Sequence, residues 1–97
     1  MYSTRIDVTR GHIEQGDKVN GTTCPFALAI KPHLAYGIYV YVGPVAIIIG
    51  ASMPKRKAPR VEIPLTESMK LWISRFDSGL PVEPLSFILW VQSSELL

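Results

Sequence analysis

The hydrophobic and polar positions of this chain are organised around an uncharged segment, residues 37–51, with the sequence GIYVYVGPVAIIIGA. Opposed residues of an antiparallel hairpin share one face of the sheet. If the segment folds at Gly43-Pro44, one face is aliphatic and contains the opposed pairs Val42 with Val45, Val40 with Ile47, and Ile38 with Ile49. The other face then carries Tyr39, Tyr41, Ala46 and Ile48. The pattern therefore predicts a β-hairpin with one buried face and one face rimmed by aromatic residues.

Three further segments are predicted to form β-strands. Apolar and polar residues alternate over residues 2–8, which predicts a half-exposed strand. They alternate again over residues 61–65, where Pro64 indicates a strand at the edge of a sheet. Residues 85–91 are apolar at both odd and even positions, which is typical of a strand that is covered on two sides. We expect residues 92–97 to form a tail.

Three helices are predicted between these strands. A short helix covers residues 10–15, and an apolar helix begins near Pro25 and ends before Pro32. The apolar helix has no polar face, so we expect it to be buried. Thr66 begins a third helix, which Gly79 ends with a left-handed backbone. The apolar residues of this third helix have the i, i+3, i+4, i+7 spacing of one packed face: Met69, Trp72, Ile73 and Phe76.

The loop over residues 17–22 contains Asn20-Gly21, a pair that tolerates positive φ and therefore marks its tightest turn. The predicted element order is β-α-α-β-β-β-α-β. This order indicates an α+β fold, with a mostly antiparallel sheet of about four to five strands that carries its helices on one face. A chain of 97 residues is the right size for one domain, residues 1–97, with one core.

The composition of the chain indicates the cellular compartment in which the protein is expected. The chain is 47% hydrophobic and 19% charged, values typical of a globular protein. It contains one cysteine, so no disulfide can form within the chain, and its N-terminus is too polar for a secretory signal. The uncharged residues 33–54 are long enough for a membrane span, but Gly43-Pro44 and the β-branched residues favour strands. We therefore expect a cytoplasmic protein and no membrane association.

One cysteine and two histidines are the candidates for chemistry. Cys24 lies where a helix begins, a position that stabilises a thiolate, and His12 could act as its base with Glu14 to orient the imidazole. The alternative is a small buried side chain, which free cysteine more often is. One cysteine and two irregularly spaced histidines do not complete a zinc site, and no cofactor motif is present. We expect no catalytic residue, no metal, no cofactor and no enzymatic activity.

Asp77 lies at the predicted C-terminal end of the third helix. A carboxylate there opposes the helix dipole, so a neighbouring group has to compensate for its charge. Arg75 or a backbone N–H from a loop could do so. A structural tie explains Asp77 more readily than a catalytic role, because ion-pair networks perturb carboxylates as readily as mechanisms do.

Two kinds of binding surface are indicated. Aromatic residues are favoured in protein interfaces, and the candidate anchors are Tyr36, Tyr39, Tyr41 and Trp90, together with the C-terminal Leu96 and Leu97. The basic connector PKRKAPR supplies the candidates for nucleic-acid contact, which are Lys55, Arg56, Lys57 and Arg60. In that case Tyr39 and Tyr41 would serve as stacking faces. A net charge of +2 is low for a nucleic-acid-binding domain, so protein binding is favoured.

Several segments resemble a family of small uncharacterised proteins found in bacteriophages, prophages and some bacteria. These segments are VTRGHIE at residues 8–14, CPFALAI at 24–30, ISRFDSG at 73–79 and VEPLSF at 82–87. Family members often have a second cysteine shortly before the position of Cys24, where this chain has threonines. The resemblance implies a phage or prophage setting and no established activity. In that setting we expect a non-enzymatic protein that binds a host protein as an inhibitor or binds further copies of itself; the alternative is a nucleic-acid-binding accessory.

Overall fold

The computed structural model describes residues 2–51, 60–91 and 96. In chain order the elements are β1 (Tyr2–Val8), α1 (Arg10–Gln15), α2 (Pro25–Ile30), a 3-10 turn (Lys31–His33), β2 (Ile38–Val42), β3 (Ala46–Ala51), β4 (Val61–Pro64), α3 (Glu67–Asp77) and β5 (Leu85–Val91). The α+β class and the element order predicted from the sequence are confirmed. No helix in the described part of the chain is both long and apolar enough to cross a bilayer.

The five described strands form two antiparallel sheets, not one. β1 pairs with β5, whereas β2, β3 and β4 form a separate sheet in that order. β4 lies at the edge of its sheet, as Pro64 predicted. A cleft of about 360 Å³ lies between residues 60–64 and residues 90–91, so β4 and β5 lie close together without pairing. Strand periodicity predicts where strands occur but not which of them pair, and the sequence therefore did not indicate this division.

The β2–β3 hairpin has the predicted faces except at Val45, which precedes β3 and is 62% exposed, and its register differs from the prediction. Val42 pairs with Ile47 and Val40 with Ile49, so the predicted pairing of Val42 with Val45 is wrong by two residues. The turn is longer than predicted. It covers residues 43–46, and the Gly43 N–H donates to the carbonyl oxygen of Ala46 at 2.9 Å. A shift of two residues keeps every side chain on the same face. The aliphatic face is accordingly buried, and the two tyrosines lie on the outer face.

An aromatic cluster joins α2, α3 and β5. Phe26 is fully buried in α2, and its ring centroid lies 5.2 Å from that of Trp72 and 5.3 Å from that of Phe87. The Trp72 ring stacks on Phe76 at 5.8 Å, and its Nε1–H donates to the carbonyl oxygen of Glu83 at 2.7 Å. The apolar helix α2 is buried as predicted, and it forms one core with residues from both sheets.

β5 is covered on one side only. Leu89 and Val91 are buried, whereas Ile88 is 49% exposed and Trp90 is 54% exposed. The prediction that both faces of residues 85–91 are covered is therefore wrong. The core lies on the inner face of the β1–β5 sheet, and in the described part of the chain nothing covers its outer face. The apolar residues Ile88 and Trp90 need a different explanation from core packing.

Leu96 belongs to the core and not to a surface. Its side chain is 0% exposed, and its carbonyl oxygen accepts a hydrogen bond from the Ala35 N–H at 3.1 Å. The expectation that Leu96 is part of a tail and a surface anchor is therefore wrong. Residues 92–95 and Leu97 lie outside the described residues. The sequence could not indicate this contact, because it joins positions that are far apart in the chain.

Candidate functional site

The four predicted aromatic anchors do not form one patch. Tyr36 lies in the turn before β2 and is 82% exposed. Tyr39 and Tyr41 lie on the outer face of the three-stranded sheet, whereas Trp90 lies on the outer face of the two-stranded sheet. Of the predicted basic residues, only Arg60 is described. Lys55, Arg56 and Lys57 lie outside the described residues.

The outer face of the three-stranded sheet combines two tyrosines with a charged edge. Tyr39 is opposite Gly50, and a Cβ atom at Gly50 would lie 3.2 Å from a carbon of the Tyr39 ring. The ring therefore lies across the glycine. At the edge of the same face, the Arg60 guanidinium pairs with Glu62 at 3.5 Å. Tyr39, Tyr41 and Arg60 thus belong to one surface.

The outer face of the two-stranded sheet has an apolar end and a polar end. Trp90 is opposite Ser3, and Ile88 is opposite Arg5. At the polar end Asp7 accepts hydrogen bonds from the Ser86 hydroxyl at 2.5 Å and from Arg5 Nε at 2.9 Å. Trp90 also lines the cleft between β4 and β5. A large aromatic residue therefore lies exposed between an open sheet face and a cleft.

Hydrogen bonds from Ser86 and then Arg5 lower the pKa of Asp7 from its ordinary value of 3.8. A carboxyl group whose pKa is lower in the folded state stabilises the fold above its unfolded pKa. That contribution is lost as the pH falls through the lowered, folded-state pKa. Because Asp7 is exposed, it organises the polar end of this face more than it stabilises the protein.

The surroundings of Cys24 and His12 do not favour a nucleophilic pair. Cys24 is buried, and this burial raises the pKa of its thiol above 9.0, which opposes thiolate formation. His12 instead forms a capping box at the start of α1, where its Nδ1 accepts a hydrogen bond from the Thr9 N–H at 3.0 Å. Within the described residues, no three His, Cys, Asp or Glu side chains are grouped closely enough to hold a metal ion.

A second cleft, of about 300 Å³, lies where three segments meet. These segments are the loop at residues 19–21, the β2–β3 turn at residues 41–44, and the α3 residues Ile73 and Asp77; Cys24 also lines the cleft. We call it the loop–helix cleft. The Gly21 carbonyl oxygen accepts a hydrogen bond from the Val42 N–H at 2.8 Å, so the loop is joined to β2.

The loop that borders this cleft has its left-handed residue at Val19 (φ 53°), not at Asn20 or Gly21. The prediction based on Asn20-Gly21 is wrong in this respect. Gly21 is needed for close approach, because a Cβ atom there would lie 2.6 Å from a Tyr41 ring carbon. The Asn20 side chain is engaged locally and accepts a hydrogen bond from the Thr22 N–H at 3.1 Å. A β-branched residue at positive φ is a strained backbone, at a cost of about 1–3 kcal/mol.

Asp77 holds this strained loop in place. Its Oδ1 accepts a hydrogen bond from the Val19 N–H at 2.9 Å, so the loop N–H is the compensating group of the two that the sequence suggested. Arg75 donates instead to the carbonyl oxygen of Pro81 at 3.2 Å. The helix ends as predicted with Gly79 at φ 78°, and the Leu80 N–H donates to the Arg75 carbonyl oxygen at 2.8 Å.

Comparison of this chain with protein-family models, with curated proteins and with solved structures finds no match. What the protein binds must therefore be inferred from the exposure, contacts and charges of its own residues. The outer face of the β1–β5 sheet, the outer face of the three-stranded sheet and the loop–helix cleft are the three surfaces that offer such information.

Proposed function

We propose that this protein is a small non-enzymatic binding module that acts by docking on another protein through the surface around Trp90. The observation that carries the proposal is the exposure of Trp90 and Ile88 on an open sheet face whose other side is packed in the core. Tryptophan is among the residues that dominate the binding energy of protein interfaces. In the bacteriophage setting that the resemblance implies, the partner is a host protein or a second copy of this chain.

The neighbours of Trp90 support this function. Ile88 extends the apolar area along β5, and Arg5, Asp7 and Ser86 form a hydrogen-bonded polar group at the far end of the same face. An apolar centre with a polar margin is the usual anatomy of a protein interface. The cleft between β4 and β5 lies beside Trp90 and gives a partner side chain a place to enter.

The proposal predicts that Trp90→Ala weakens partner binding without unfolding the protein. An interface anchor of this kind contributes about 2 kcal/mol or more, which corresponds to a loss of affinity of about 30-fold. Light scattering after size-exclusion chromatography would measure self-association, and capture from host lysate followed by titration of the identified protein would measure a host interaction. The matched control is Leu71→Ala, because Leu71 is a large apolar residue that is 63% exposed and lies on α3, not on an outer sheet face. A wild-type chain that stays monomeric and captures no protein would contradict the proposal.

Nucleic-acid binding is the second candidate, and one observation favours it. Tyr39, Tyr41 and Arg60 share the outer face of the three-stranded sheet. The basic residues Lys55, Arg56 and Lys57 are in the connector between β3 and β4 of this sheet. Aromatic residues on a sheet beside cations are a common platform for single-stranded nucleic acids. The low net charge makes this the weaker of the two functions.

The second candidate predicts that Lys55→Gln, Arg56→Gln and Lys57→Gln together weaken binding to a single-stranded oligonucleotide. If each cation contacts one phosphate, the slope of log affinity against log salt should decrease by about 2. An electrophoretic mobility shift measured over a range of salt concentrations checks this. If the wild-type chain shifts neither DNA nor RNA at low salt, the nucleic-acid function is excluded.

A further inference from the structure

We infer that the loop–helix cleft binds an arginine side chain presented by a partner polypeptide. The inference rests on the proposed function, which supplies the partner, and it adds the chemistry that this second contact recognises. Three properties of the cleft support it: a carboxylate that accepts a backbone N–H but pairs with no cation among the described residues, apolar and aromatic walls, and a strained loop that is fixed before any ligand arrives.

Asp77 supplies the charge. It is the only charged residue among those described that line the cleft. Its Oδ1 accepts the Val19 N–H, and among residues 2–51, 60–91 and 96 no cation pairs with the carboxylate. The last turn of a helix is an unfavourable place for an anion and a favourable place for a cation. A cation bound beside Asp77 would therefore interact favourably with both the carboxylate and the end of the helix.

The walls of the cleft suit an extended apolar stem. Tyr41, Val42 and Ile73 contribute an aromatic ring and aliphatic side chains, and the volume of about 300 Å³ is at the lower end of the range for ligand sites. An arginine has a methylene stem for these walls and a planar guanidinium that can bond a carboxylate through two N–H groups. It also stacks on aromatic rings and is less strongly hydrated than lysine. These properties favour arginine over lysine as the occupant.

The loop fixes the carboxylate before a ligand binds. Val19 has an unfavourable left-handed backbone, and its N–H holds Oδ1 of Asp77 at 2.9 Å. Strained backbone of this kind is concentrated at binding sites, where it holds a group ready for its ligand. The Val19 side chain is 79% exposed, so packing of that side chain does not explain the strain. A carboxylate that is already oriented loses less entropy when it binds.

One cation of the protein itself lies nearby. A Cβ atom at Gly79 would be 3.2 Å from Lys18 Nζ, which places this amine over the end of α3. Lys18 does not line the loop–helix cleft; it lines a different cleft, together with Gly79 and Val82. It lowers the negative potential at the site without occupying it. Its removal should therefore strengthen the binding of an external cation.

The test is an NMR titration of the complete, isotopically labelled chain with N-acetyl-arginine amide. N-acetyl-citrulline amide is the matched probe, because it has nearly the same shape and no charge. We expect shifts of the backbone amides that border the cleft, such as those of Val19, Gly21 and Gly43, and about tenfold weaker binding of the citrulline compound. Equal binding of the two probes, no response to either, or shifts confined to other surfaces would overturn the inference.

Three variants sharpen the test. Asp77→Asn keeps an oxygen that accepts the Val19 N–H but removes the charge, so it should weaken arginine binding about tenfold. Lys18→Gln leaves the Asp77 contact in place and should strengthen binding by about twofold or more. Glu67→Gln, at the other end of α3, is the control and should have no effect. If Asp77→Asn binds like the wild type, or Lys18→Gln weakens binding, the assignment is wrong. The titration needs no partner protein, so its failure leaves the Trp90 proposal untouched. Failure of the Trp90 experiments would leave the titration result standing but would remove the partner that presents the arginine.

Discussion

Replacement of Phe26 with alanine is expected to lower the free energy of unfolding by about 3–5 kcal/mol. Phe26 is fully buried, and its ring contacts Trp72 of α3 and Phe87 of β5. Alanine would leave a cavity between three elements that are far apart in the chain. Because small domains are stable by only about 5–15 kcal/mol, this one substitution removes a large part of the stability.

Chemical denaturation, with the midpoint and slope fitted for each variant, measures the effect of Phe26→Ala. The matched control is Leu71→Ala on α3, because Leu71 is a large apolar residue that is 63% exposed. Exposed substitutions of this kind usually change stability by about 0.5 kcal/mol or less. If the two variants lose the same stability, Phe26 is not at the centre of the core and the packing of α2 against α3 is wrong.

The sequence predicted the local features of the fold well, because each depends on a few neighbouring residues. Thr66 caps α3, where its hydroxyl accepts the Met69 N–H at 3.2 Å. Gly79 ends the same helix with positive φ, since glycine lacks the Cβ atom that disfavours this conformation. Strand alternation likewise identified the buried face of the β2–β3 hairpin. These signals are read within a single turn or strand and need no knowledge of the tertiary structure.

Apart from the register of the β2–β3 hairpin and the left-handed residue at Val19, the features that the sequence missed depend on contacts between distant segments. The pairing of β1 with β5 joins two segments that are far apart in the sequence, and these two strands form a sheet separate from β2, β3 and β4. β5 was predicted to be covered on both sides because its composition is apolar. Apolar composition alone does not show whether a strand face is covered, and the exposure of Ile88 and Trp90 shows that the described part of the chain leaves this face open.

The candidate sites also differ in how far the sequence could indicate them. Tyr36 and Trp90 are both exposed, but the sequence indicated them only by their aromatic character, because the apolar composition of residues 85–91 predicted that Trp90 would be covered. The loop–helix cleft had no such signal. Valine gives no indication of positive φ, and Asp77 meets the loop only after α3 has packed. Gly21 is the one residue of the loop whose type could indicate the cleft. A glycine beside Asn20 is typical of a turn, however, and does not by itself indicate close contact with Tyr41.

Leu96→Ala is expected to lower the free energy of unfolding by about 2–5 kcal/mol, although the sequence predicted a tail over residues 92–97. Leu96 is fully buried in the core. The backbone hydrogen bond from the Ala35 N–H to the Leu96 carbonyl oxygen is retained in the variant, so the measurement reports the loss of side-chain packing alone. The same denaturation experiment used for Phe26→Ala gives the value.

Leu80→Ala is the control for Leu96→Ala, because both remove the same atoms and Leu80 is half-exposed. A loss for Leu96→Ala no larger than that for the control would show that residues 92–97 are the tail that the sequence predicted. A large loss would mean that the end of the chain anchors the segment before β2. The two outcomes also bear on protein binding: a buried Leu96 cannot be a surface anchor, which leaves Trp90 and Ile88 as the apolar contacts available to a partner on the β1–β5 face.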